Sequence, residues 1–370
     1  MVDQTIAGAT VSRNRTRLAW PVAGMVIGTL VGIMPLQRGI TLPAGIAAWC
    51  VDMVFVLILS AHPAGARAGV LMAGLLVAVP CFVQASPLPR CLLMCFMGVP
   101  FIAAAALVLA PPIPGFQARL AHLCSWCATR QVRRRAPYFD AAALWRLMAA
   151  TAVLAAAIAV GKQASASGLG LPVRWLAGGI GIFAFAEMAT AGLPLVTAAF
   201  GLTVPPLFQS PYRSASIGEF WTKRWNLGAS VLFRKYCFAP LARHGVAMAL
   251  FTTFVVSAVA HMLLTYMAIG RWGLSLICGT FFLVQPLLIA AERWMNVRRW
   301  RPPAGRAWTL AALAVTAPLV VEPALQLVER SWGAPNDVLL PTVAALGSVM
   351  GFSSVIALAA LASFAPRKIF

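Results

Sequence analysis

Charge is what this chain has least of. Among 370 residues only 10% are charged and nine are acidic, whereas 61% are apolar. A soluble domain of this length has so much surface that it would not carry this much apolar sequence, so a water-soluble globular protein is excluded. A disulfide framework is missing too: the eight cysteines are scattered, mostly inside apolar runs. Cys124 and Cys127 form a C-x-x-C with His122 just upstream. Zinc would need a fourth ligand and none lies nearby in sequence, so no metal site is expected. No internal repeat is evident, which counts against a transporter built from two related halves. The first apolar run ends "GIMPLQRG" with no small-x-small cleavage site. It therefore reads as a membrane helix and not as a signal peptide.

Long apolar runs are what the chain has instead. A hydrocarbon core of about 30 Å takes roughly 20 residues of helix. Ten runs fit: Leu18 to Leu36, Ile40 to Ser60, Gly69 to Val83, Cys91 to Ala110, Ala142 to Gly161, Trp175 to Phe200, Gly245 to Ile269, Trp272 to Ala291, Ala307 to Leu327 and Val338 to Phe364. The third is short and the sixth long, so nine to eleven spans are expected in an all-α polytopic bundle. With ten spans and a cytoplasmic N-terminus, both termini are cytoplasmic. Six of the 29 Lys and Arg then fall outside (Arg38, Arg90, Lys162, Arg174, Arg271, Arg330) and the rest inside. The net charge of +20 is thus a topology signal of the positive-inside kind, and nucleic acid is not expected as a partner. The alanine- and arginine-rich composition with short loops points to a bacterial cytoplasmic membrane.

Two segments are too long to be connections. Pro111 to Asp140 places Phe116, Leu120, Leu123 and Cys127 on one helical face, with Arg119, Arg130 and Arg133 elsewhere. It reads as an interfacial helix among acidic headgroups. Gly201 to His244 holds "SIGEFWTKRWN". Pro205, Pro206 and Pro211 favour an extended lead-in, and Ser216 with Glu219 forms an S-x-x-E capping box. The pattern predicts one helix from about Ile217 through "GEFWTKRWNLGASVLFRKY", with Trp221 and Trp225 on one face and Glu219 paired to Lys223. Its aromatics and bases suit a membrane interface. Asn226 is the residue that this reading does not explain.

Polar side chains inside apolar runs point to function. Asp52 and Glu322 lie where they can reach an interface or pair with another helix. Glu187, near the middle of a glycine-rich run, is read first as a hydrogen bond to a neighbouring helix. His261 has Ser257 and Thr265 four residues to either side, a polar stripe that must face protein or water. It sits about 24 Å along its helix from Gly245. A neutral imidazole at that depth can act as a base. A packing histidine bonded to a backbone carbonyl is the competing explanation.

The Pro-rich lead-in, "SPYRSASIGEFWTKRWN" and the following "FVVSAVAHMLLTY" together resemble the wax synthase-like branch of the membrane-bound O-acyltransferases. The residues that carry the resemblance are Phe220, Trp221, Arg224, Trp225, Asn226 and His261, within Pro205 to Tyr266. Plant-type members tend to have Glu after the histidine; here Met262 follows it. The resemblance implies a single integral membrane acyltransferase domain over residues 1–370, with a buried tunnel and interfacial helices on the cytosolic face. It implies acyl-CoA as co-substrate, no tightly bound cofactor, and a lipophilic alcohol as acceptor. His261 would be the general base, and Asn226 would stabilise the oxyanion or orient the histidine. Trp221, Lys223, Arg224, Trp225, Ser257 and Thr265 would line the substrates, with Arg234 and Lys235 also near the phosphates of CoA. The rival expectation is a transporter or flippase that uses Glu187 and His261 as a relay.

Overall fold

The computed structural model describes residues 20–32, 39–59, 61–109, 119, 133–167, 170–199, 201–203 and 205–332. The chain divides into two compact units. One comprises Met1–Thr129, Met267–Ile269 and Glu329–Phe370, the other Arg130–Tyr266 and Gly270–Val328. Six helices among the described residues are long and apolar enough to cross a membrane, or seven if one bent pair is a single span. The protein is therefore a multi-pass membrane protein. The expected tenth run, the C-x-x-C with His122, and, Arg119 apart, the helix read over Phe116 to Cys127 lie outside the described residues.

In the first unit, α1 (Trp20–Gly32), α2 (Leu42–Leu59), α3 (Pro63–Leu76) and α4 (Pro87–Leu109) pack around Trp49, Val56, Val70 and Leu93. Small residues set the approach of α1 to α3: a Cβ on Gly28 would lie 2.0 Å from the Gly74 carbonyl oxygen, and one on Gly74 2.4 Å from that of Gly24. With lipid as solvent there is little hydrophobic drive between helices, so such backbone contact is what holds them together. Asp52 is buried on α2, and neither carboxylate oxygen has a hydrogen-bond partner among the described residues. The expectation that it pairs with another helix is not met there.

The second unit opens with α5 (Ala141–Ser167) and α6 (Leu171–Ala199), a helical hairpin. A two-residue antiparallel ladder, β1 (Arg133–Arg134) with β2 (Leu202–Thr203), closes its base. Glu187 on α6 accepts a 2.8 Å ion-paired hydrogen bond from Arg146 on α5, so its partner is indeed a neighbouring helix. Short helical pieces follow: α7 (Ile217–Glu219), α8 (Leu227–Phe233) and α9 (Ala239–Ala242). Then come two long apolar helices, α10 (Val246–Ile269) and α11 (Trp272–Trp294), and a pair, α12 (Pro302–Thr316) and α13 (Pro318–Trp332). The last two meet at a bend of 52° beside Pro318, where a proline removes a helical donor. Glu322 does pair across helices: the Arg174 guanidinium donates to both of its oxygens at 3.2 and 3.0 Å, and the Trp175 indole adds a third bond.

Candidate active site

The motif segment begins as the capping signal predicts. Ser216 is extended, and its Oγ accepts the Glu219 N–H at 3.0 Å. The reciprocal half of the box differs, because the Glu219 carboxylate accepts from the Ala215 N–H, not from that of Ser216. After one turn the helix widens into a π turn over Phe220–Arg224, closed by the Trp225 N–H to the Phe220 carbonyl at 2.8 Å. A π turn brings residues five apart into register. This corrects the expected ion pair: Glu219 binds Arg224, at 2.7 Å, and not Lys223. Burial alone would raise the Glu219 carboxyl, but the Ala215 N–H, the Arg224 hydrogen bond and charge, and the Lys223 charge hold it below the usual carboxylate range.

The single long helix expected here does not form. Trp225 is extended and Asn226 left-handed, with φ 41°. A short carboxamide tolerates that conformation better than most side chains. Asn226 Oδ1 then caps α8 by accepting the Ala229 N–H at 3.1 Å. The break also parts the two tryptophans, which do not share a face. Trp225 packs among Phe183, Phe208 and Phe220, whereas Trp221 packs among Phe254, Phe281 and Phe282. The Trp221 indole N–H donates to Gln285 Oε1 at 3.0 Å. Arg224 is engaged by Glu219 and by the Gln209 carbonyl, while the Lys223 side chain is exposed.

On α10, Ser257 and Thr265 are buried, so the polar stripe is turned into the protein. His261 Nδ1 lies 2.8 Å from the Ser257 carbonyl oxygen. A carbonyl only accepts, so the neutral ring must carry its proton on Nδ1 and present Nε2 as the acceptor. Nε2 has no hydrogen-bond partner among the described residues. The Thr265 hydroxyl donates to the His261 carbonyl at 2.8 Å. The ring itself is stacked on Phe282, with centroids 3.9 Å apart. Phe282 is therefore common ground: His261 packs on it from α10 and Trp221 from the motif segment. Met262 fills the space left by Gly279, where a Cβ would meet its Cγ at 2.4 Å. Among the described residues no hydrogen bond joins Asn226 to His261, nor Glu187 to His261.

Sequence reasoning missed Gln285 and Glu292. Both are buried on α11, and seven residues part them, two turns on one face. That spacing inside an apolar run was the available signal.

Residues 204–284 match the family described as membrane bound O-acyl transferase. The chain resembles the wax synthase-like branch of that family. It is 32% identical over 159 residues to probable long-chain-alcohol O-fatty-acyltransferase 7 of Arabidopsis thaliana, a match covering 38% of this chain and 44% of that protein. It is 30% identical over 139 residues to probable long-chain-alcohol O-fatty-acyltransferase 2 of the same plant, covering 34% and 39%. It is also 30% identical over 149 residues to its acyl-CoA–sterol O-acyltransferase 1, covering 36% and 43%. The chain thus matches under half the length of each of these relatives. The matched family segment holds the π turn, Asn226, His261 and Phe282.

Proposed function

We propose that this protein is a membrane O-acyltransferase that moves an acyl group from acyl-CoA to the hydroxyl of a lipophilic alcohol. The observation that carries the reading is Nε2 of His261: with Nδ1 bonded to the Ser257 carbonyl, as it would also be in a packing histidine, Nε2 has no hydrogen-bond partner among the described residues and is a basic lone pair inside an apolar helix bundle. Nε2 takes the alcohol proton as the alcohol oxygen bonds to the thioester carbonyl carbon. The tetrahedral adduct then expels the thiolate, the C–S bond breaks, and CoA leaves as the thiol with that proton. No acyl-enzyme is needed. A base so placed contributes typically about 10²–10⁴-fold. Asn226 uses its Oδ1 for the cap, so its amide N–H groups remain to donate to a thioester carbonyl, a contribution of roughly 10²–10³-fold for an oxyanion donor. Exposed Lys223 meets the phosphates of CoA, together with Arg234 and Lys235; Arg224 holds the segment in shape through Glu219. Ser257 and Thr265 line the approach to the base, and the aromatic cluster around Trp221 keeps water from the thioester. A relay through Glu187 is not favoured, because its carboxylate is taken by Arg146.

The test is acceptor-dependent thiol release from short to long acyl-CoAs, with wild type and His261→Ala purified in parallel in detergent and pooled alcohols as acceptors. Release by the wild type that disappears in the folded variant supports the reading. Equal release by both removes His261 as the base. No release from the wild type with any acceptor counts against acyl transfer.

A further inference from the structure

Glu292, near the end of α11 and 5% exposed, reaches into the first turn of the motif segment. One of its carboxylate oxygens accepts the Ile217 N–H and the other the Gly218 N–H at 3.3 Å. The oxygen that binds Ile217 also accepts the Trp308 indole N–H at 3.0 Å, from α12. With the Ser216 bond to the Glu219 N–H, the N–H groups of Ile217, Gly218 and Glu219, orphaned at the start of the helix, are taken. Trp308 can reach this far because α12 crosses the segment closely at Gly305, where a Cβ would lie 2.5 Å from the Ala215 carbonyl oxygen. The same face of α11 that ends in Glu292 also carries Gln285, bonded to Trp221, and Phe282, stacked on His261. These residues lie 3 and 7 apart, successive places on one helical stripe.

We infer that Glu292 is the positioning residue of this site: it clasps the motif segment at Ile217 and Gly218, so that one helix, α11, contacts both that segment and the ring of His261. The inference rests on the acyltransferase reading above. A carboxylate suits the task because it offers acceptors only, and three N–H donors converge on it. Glutamine has the same shape but offers one acceptor oxygen, and its NH2 would face a donor. The clasp acts through the segment and does not touch substrate. A misplacement of about 1 Å at a reacting centre can cost ~10²-fold.

The experiment compares wild type, Glu292→Gln and Glu292→Ala as purified full chains, with two readouts. Hydrogen exchange over residues 217–226 reads the clasp whether or not the enzyme turns over. Loss of the clasp is expected to speed exchange there roughly 10-fold or more, with α10 unchanged, Gln falling between Ala and wild type. Kinetics read the consequence: kcat/KM for acyl-CoA is expected to fall about 10- to 100-fold, while KM for the alcohol stays put. A merely structural residue would lower the active fraction without splitting the two substrates. Unchanged exchange in both variants overturns the clasp, and faster exchange with wild-type kinetics overturns the positioning role. Absence of acyl transfer by the wild type overturns the acyltransferase reading instead, and the exchange arm still decides the clasp.

Discussion

The imidazole of His261 and the phenyl ring of Phe282 lie face to face, 3.9 Å between centroids and 27° from parallel. With Nδ1 bonded to the Ser257 carbonyl, the ring is held along one edge and across one face, and only Nε2 is left to do chemistry. Phe282 is thus a wall for the proposed base and not a reactant. Phe282→Leu keeps most of the apolar volume and is expected to cost under about 1.5 kcal/mol of stability, yet to lower kcat because His261 and Trp221 both lose their shared support. Phe282→Ala opens a cavity and is expected to cost about 3–5 kcal/mol. Thermal unfolding in detergent beside initial rates of CoA release checks both. A leucine variant with wild-type kcat would remove Phe282 from the argument.

Asn226 has one observed role and one proposed role, and substitution can separate them. Its backbone is left-handed and its Oδ1 caps α8, while its amide N–H groups are the proposed oxyanion donors. Asp keeps the cap acceptor and tolerates the conformation, but it loses the donors. Asn226→Asp is therefore expected to unfold near the wild-type temperature while losing about 10²–10³-fold in kcat. Asn226→Gly tolerates the φ and loses both side-chain roles. Wild-type turnover by the Asp variant would leave Asn226 as a cap alone.

The clasp between Glu219 and Arg224 sets an acid limit on the segment. The folded carboxyl sits below its ordinary value of 4.5 through the Ala215 and Arg224 bonds and the nearby charges, which outweigh burial. A carboxyl held low in the folded state stabilises fully above its unfolded value, and that stabilisation fades as pH falls through the lower folded value. Glu219→Gln is expected to unfold more easily than wild type near neutral pH, and the two melting temperatures are expected to converge below about pH 4.5. Parallel curves across that range would show that the ion pair contributes nothing. The pair is only partly buried, so a small separation is expected.

Much of this architecture was legible from the sequence, for reasons that specific residues show. Apolar run length marked out the six long apolar helices found among the described residues, because bilayer thickness fixes helix length. The Ser216 cap was legible because it is local chemistry between residues three apart. The stripe of Ser257, His261 and Thr265 was legible because helical period puts residues four apart on one face. What failed was the regular period itself: a π turn at Phe220–Arg224 adds a residue to the repeat, so Arg224 took the partner assigned to Lys223, and Trp225 left the face of Trp221. Nothing in the spacing announces that turn. Gln285 and Glu292 were overlooked because their partners are 64 and 75 residues away in sequence, and a buried polar residue shows its purpose only when those partners are in place.

The bond between Trp221 and Gln285 offers the clearest measure of how tightly the motif segment is tied to α11. Gln285 is fully buried; its Nε2 donates to the Phe281 carbonyl and its Oε1 accepts the indole N–H of Trp221. Trp221→Phe keeps the aromatic packing against Phe254, Phe281 and Phe282 but strands the glutamine oxygen. A buried acceptor left unpaired costs about 1–3 kcal/mol, more than the bond itself contributes. Gln285→Leu strands the indole N–H instead, in a half-buried place where water can serve it in part, so a smaller loss is expected. The double variant Trp221→Phe with Gln285→Leu removes both polar partners and is expected to be more stable than the sum of the single losses predicts, by about 0.5–3 kcal/mol of coupling. Melting temperatures of the four proteins, measured in one detergent, close the cycle. Strict additivity would mean that the two side chains do not share a bond, and that the segment is held at Trp221 by ring packing alone.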